Sequence, residues 1–99
     1  MENSLIVEKY RRLKKLQQDL AGLGPIMRGS VVVIGTRNKQ PYFSLNKDKK
    51  TKLIYLGKKR EPLAKAYSEN YKRLLEIVEE MTEINMELVK NDVANAPST

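Results

Sequence analysis

Apolar residues recur at helical spacing at both ends of this chain and at strand spacing in its middle. Near the start, Ile6, Tyr10, Leu13, Leu16 and Leu20 stand four and three residues apart, which is one stripe of a helix. Ser4 is a candidate cap, and "GLGP" at Gly22–Pro25 stops the pattern, so the first helix is predicted from Ser4 to about Gly22. The middle holds three strand-like segments. Ser30–Gly35 is a β-branched run, and Pro41–Asn46 and Thr51–Leu56 follow it. Short connections at Gly35–Gln40 and "KDKK" predict a three-stranded antiparallel meander. In its second strand Phe43 and Leu45 point to one face and Tyr42, Ser44 and Asn46 to the other. So small a sheet needs a helix against its apolar face.

That helix is predicted with Pro62 in its first turn and an end near Lys90, a length of roughly 43 Å at the α-helical rise. Tyr67, Tyr71, Leu74, Val78, Met81, Asn85 and Leu88 alternate spacings of four and three, a heptad-like seam. Leu75, Ile77, Ile84 and Val89 widen the seam, and Glu76, Glu79, Glu80, Glu83 and Glu87 take the other side. The expected architecture is therefore α+β in the order α-β-β-β-α, one small domain over residues 1–93 with a flexible tail over 94–99. The C-terminal helix outruns the first by about ten residues, so apolar surface is left over. A homodimer along Tyr71, Leu74, Val78, Met81, Asn85 and Leu88 is the expected way to cover it, with Asn85 setting register.

Charge changes this picture more than bulk composition does. The net charge is +7, but residues 37–60 alone carry nine basic groups against one acidic group. Residues 1–36 balance at +3 and residues 61–99 at −4, so the excess is concentrated in the sheet. In "KDKKTKLIYLGKKR" (47–60), seven of fourteen residues are Lys or Arg, flanking a strand. Concentrated positive charge of this kind meets a polyanion, each cation that reaches a phosphate releasing counterions. The candidate phosphate-facing residues are Arg37, Lys39, Lys47, Lys49, Lys50, Lys52, Lys58, Lys59 and Arg60. Tyr42, Ser44 and Asn46 would then reach bases or sugars. The competing explanation is that edge lysines keep a small sheet soluble and unpaired. The basic stretch "KYRRLKK" of the first helix has the same two explanations.

Candidate chemistry narrows the classes further. The chain has no histidine and no cysteine, which removes the usual general base, disulfides and thiolate metal ligands together. No phosphate-cradling glycine loop or nucleophile-elbow motif occurs. We therefore expect no catalytic residues, no metal and no cofactor. No apolar run approaches a membrane span and no cleavable signal pattern opens the chain, so the expected setting is cytoplasmic, without a membrane partner.

The order Arg28-Gly29-Ser30, then Pro41–Leu45 ("PYFSL"), then the basic hairpin, then Tyr71–Leu74 ("YKRL") is itself distinctive. It resembles a small family of uncharacterised bacterial and archaeal proteins often encoded near mobile elements, over about two-thirds of the chain. The resemblance implies the α+β layout and a mobile-element setting. Relatives commonly carry clustered cysteines between the first two strands, where this chain has "GTRNK", so no zinc role is implied here. The expected function is non-catalytic nucleic-acid binding through the basic hairpin, with DNA ahead of RNA. The alternative is a small adaptor or inhibitor that acts by occupying another, nucleic-acid-processing protein; compact size and segregated charge suit both.

Overall fold

A computed structural model describes residues 2–91; the tail expected over 94–99 lies outside the described residues. The order is helix α1 (Glu2–Ala21), strands β1 (Ser30–Ile34), β2 (Gln40–Lys47) and β3 (Lys50–Tyr55), and helix α2 (Gly57–Lys90). The sheet is an antiparallel meander with β2 in the centre, so the α+β class and the α-β-β-β-α order stand as expected. No helix among the described residues is long and apolar enough to cross a membrane.

Both helix starts differ from expectation. α1 begins at Glu2, which puts Ser4 inside its first turn rather than at the cap. A capping preference near 1 kcal/mol does not fix a boundary when the preceding residues also accept helical geometry. α2 begins at Gly57, five residues before Pro62, because Gly57 takes a positive φ of 71° and turns the chain straight from strand into helix. Pro62 therefore sits at the sixth position, where its missing N–H leaves the Lys58 carbonyl without a helical donor. That carbonyl belongs to an exposed residue, where water can serve it.

The hairpin between β2 and β3 is tighter than its four-residue "KDKK" implied. Lys47 pairs directly with Lys50, leaving Asp48 and Lys49 as a two-residue turn with φ of 54° and 62°. Two positive φ values mark the turn whose twist matches that of the flanking strands. Asp tolerates this conformation, whereas Lys49 holds it against the Cβ penalty that glycine would avoid.

The chain packs as two compact units that share α2, one of them being Gly24–Arg73. Its core is Phe43, Leu56 and Ala64, with Met27, Val31 and Leu45 packed against it. The loop before β1 is strapped to α2 by three hydrogen bonds. The Met27 amide donates to the Tyr67 carbonyl (3.2 Å), Ser68 Oγ to the Gly29 carbonyl (2.7 Å) and Asn70 Nδ2 to the Pro25 carbonyl (2.8 Å). This explains the Arg-Gly-Ser triplet physically. Gly29 has a φ of 148°, and a Cβ there would meet the Phe43 ring and the Ser44 carbonyl oxygen at 2.6 Å. Arg28 donates from Nη1 to the Asn46 carbonyl, and Ser30 opens β1.

The other unit comprises the described residues of Met1–Leu23 and Leu74–Thr99. Here α1 lies antiparallel to the second part of α2: Leu5 and Glu8 line one shallow groove with Glu83 and Ile84, and Arg12 reaches Glu80. Leu16 and Ile77 are fully buried. The Arg12 guanidinium clasps Glu80 with two hydrogen bonds, which raise the guanidinium's pKa above its ordinary value. Glu80 thus turns towards α1 instead of belonging to an outward acidic face. The seam also shifts. Its buried and half-buried line runs through Leu74, Ile77, Met81, Ile84 and Leu88, whereas Val78 and Asn85 are exposed. The strict four-three spacing assumed a 3.5-residue repeat, and a straight helix drifts about 20° per heptad from it.

Candidate nucleic-acid interface

All nine predicted phosphate-facing residues fall in the unit Gly24–Arg73, and all nine are exposed. Residues 24–73 hold thirteen Lys or Arg against three Asp or Glu, a balance of +10. The rest of the chain holds six against nine, a balance of −3. Charge is therefore segregated by packing unit, more sharply than along the sequence.

The sheet divides the nine cations between its two ends. The β1–β2 connection and the first turn of α2 meet at one end, as the Ile34–Gln40 and Tyr42–Tyr55 pairs and the Leu56 amide on the Pro41 carbonyl (3.0 Å) require. Arg37, Lys39, Lys58, Lys59 and Arg60 gather there, Arg60 donating its Nε–H to the Leu56 carbonyl. At the other end the hairpin carries Lys47, Lys49 and Lys50, with Lys52 one pair inward. Seven strand steps along β2 separate the two groups by about 23 Å. Lys47 directly opposite Lys50 is a like-charge pair, which costs stability. Lysine arranged only to protect an edge would avoid that position.

The pleat then separates what the sequence suggested would act together. Lys47, Lys50 and Lys52 alternate onto the face of Phe43 and Leu45, whereas Tyr42, Ser44 and Asn46 alternate onto the other. The hairpin lysines and the polar trio do not share a face. On the Phe43 side, Ile54 is 58% exposed and lines an open groove with Met27, Leu45 and Lys52.

On the opposite face, beside the expected Tyr42, Ser44 and Asn46, stand residues that the sequence reading missed: Val32, Leu53 and Tyr55. Cross-strand register sets Val32, Tyr42 and Tyr55 in one row, and Ser30, Ser44 and Leu53 in the next. Ile34 and Gln40 flank these at one end, Asn46 and Thr51 at the other. Leu53 and Tyr55 are each 49% exposed. The two tyrosine rings meet edge to face, with centroids 5.5 Å apart and planes at 69°. Tyr55 also donates its hydroxyl to Gln40 Oε1 (3.1 Å), and Thr51 donates to Asn46 Oδ1 (2.7 Å). The signal was present in the sequence: once the turn is Asp48-Lys49, every second residue of "TKLIYL" shares a face with Tyr42.

Among the described residues, no group of acidic side chains is arranged to hold a metal ion. No family model, no curated protein and no solved structure matches the chain.

Proposed function

We propose that this chain is a non-catalytic nucleic-acid-binding protein that grips its ligand through the basic sheet unit. The observation that carries this reading is the +10 balance of residues 24–73, with cations exposed at both ends of one small sheet. A phosphate backbone is the biological polymer whose charge density matches such a surface. DNA ranks ahead of RNA, since the chain has neither an aromatic RNP motif nor a GXXG loop. A mobile-element setting is what the family resemblance implies.

The testing experiment is a fluorescence-anisotropy titration with nucleic acid across a salt series, with a variant in which Lys49, Lys50, Lys58 and Lys59 become Glu. Affinity should fall steeply with salt in the native chain and vanish in the variant, with circular dichroism unchanged. Equal affinity in the variant would remove the interface from the basic unit.

A second contact is supported by one specific observation. Leu75, Val78, Met86 and Val89 form an exposed apolar line on α2. A second copy of the chain would cover it, giving a homodimer through this line instead of through the buried one. The alternative function, a small adaptor or inhibitor of another, nucleic-acid-processing protein, would instead show binding to that protein that survives high salt.

A further inference from the structure

From the Tyr42–Tyr55 face of the sheet we infer that the ligand is single-stranded DNA, laid across the two rings with its backbone held beside Lys58 and Lys59 at one end and at the Lys49 turn at the other. This deepens the reading above and rests on it. Phosphate binding accounts for the two cation clusters but not for the exposed apolar side chains between them. Ile34, Leu53 and Tyr55 present apolar surface to water beside the half-buried Val32 and Tyr42, and only a ligand with apolar surface of its own gains by covering them. In a duplex the flat faces of the bases are stacked on one another and unavailable. In a single strand they are free, and any base can stack on a tyrosine.

Geometry singles out Tyr55 as the platform. The two rings meet edge to face, and Tyr55 is the more exposed of the two. Its ring lies against Gly57, where an added Cβ would come 3.5 Å from both Cε2 and the hydroxyl oxygen. The platform therefore adjoins the first turn of α2, which carries Lys58 and Lys59. A base stacked there places its phosphates beside two lysines, and the strand then runs along the face towards the hairpin turn and Lys49, with Lys47 and Lys50 projecting from the opposite face.

Charge excludes a second copy from this face, because two units of +10 would be brought together. The preference for deoxyribose is the one proposed above for DNA over RNA.

The test uses the full chain and labelled strands of about 12 nucleotides, within the site sizes of small single-strand-binding folds. Four probes are compared at one salt concentration: oligodeoxythymidine, its duplex with oligodeoxyadenosine, an abasic strand with the same phosphates, and the ribothymidine strand. Oligodeoxythymidine should bind tightest of the four. Losing the bases, or replacing Tyr55→Ala, should weaken binding by about 5- to 150-fold, the range for one stacked base. Tyr55→Phe, which keeps the ring, should stay close to native. An abasic strand that binds as well as oligodeoxythymidine overturns the stacking, and this arm needs no altered protein. A duplex or a ribose strand that binds equally or better overturns the single-strand or the sugar assignment, with the broader reading intact. No binding to any probe at low salt overturns both.

Discussion

The two ends of the sheet should contribute to binding independently, and this can be measured. Consider Lys47, Lys49 and Lys50 changed together to Gln, and separately Arg37, Lys39, Lys58 and Lys59 changed to Gln. Each phosphate contact contributes about 0.7 to the slope of log affinity against log salt for a single strand. Removing three contacts should flatten the slope by about 2, and removing four by about 3. Between 50 and 200 mM salt, a change of 2 in slope corresponds to about 20-fold in affinity. The groups lie about 23 Å apart along the strand, roughly twice the Debye length at 0.1 M salt, so the two deficits should add to about 5 when combined.

The hairpin variant supplies its own control. Lys47 stands directly opposite Lys50, and relieving that repulsion should raise stability by up to about 1 kcal/mol while binding weakens. Anisotropy across a salt series gives the slopes, and urea unfolding gives the stability. A hairpin variant with an unchanged slope would refute the two-ended grip and return those lysines to the protection of a sheet edge. A combined deficit equal to that of one end alone would show that the ligand never spans the face.

Three further outcomes test the fold beneath the site. Gly29→Ala should cost about 2–5 kcal/mol, since its φ of 148° is hostile to a side chain and the new methyl would strike Phe43; a melting temperature within about 2 °C of native would contradict the strap geometry. Lys49→Gly should raise the melting temperature by about 4–8 °C, because it removes roughly 1 kcal/mol of left-handed strain at the turn, and no gain would place that turn in another conformation. Val78→Glu with Val89→Glu should turn a dimer into a monomer by light scattering, with helicity unchanged; a dimer that survives would assign the contact to another surface.

The elements themselves were legible because their signals are periodic and local. The β-branched run of β1, the alternation in "PYFSLN" and the long four-three spacing of α2 each select one secondary structure over several consecutive residues. Boundaries and phases were harder, because each depends on a single residue or on a slow drift. Ser4 and Pro62 are sound starting signals that local context overrode, Pro62 because a glycine five positions earlier already redirects the chain. Val78 and Asn85 replaced Ile77 and Ile84 in the expected seam for want of a tenth of a residue per turn.

The candidate site was legible as charge but not as geometry, and the difference lies in the pleat. Counting residues showed that cations crowd positions 37–60, yet it could not show that cross-strand pairing sends Lys47, Lys50 and Lys52 to one face and Tyr42 to the other. Register also gathers Val32, Tyr42, Tyr55 and Leu53 from three separate strands into one uncovered surface. No window along the chain contains all four. Solubility would favour polar residues in place of Leu53 and Tyr55, and a purely electrostatic grip would leave these positions indifferent. Exposed apolar side chains between two basic ends suit a polymer that carries phosphates along its length and flat apolar groups beside them, and that exposes both only when unpaired.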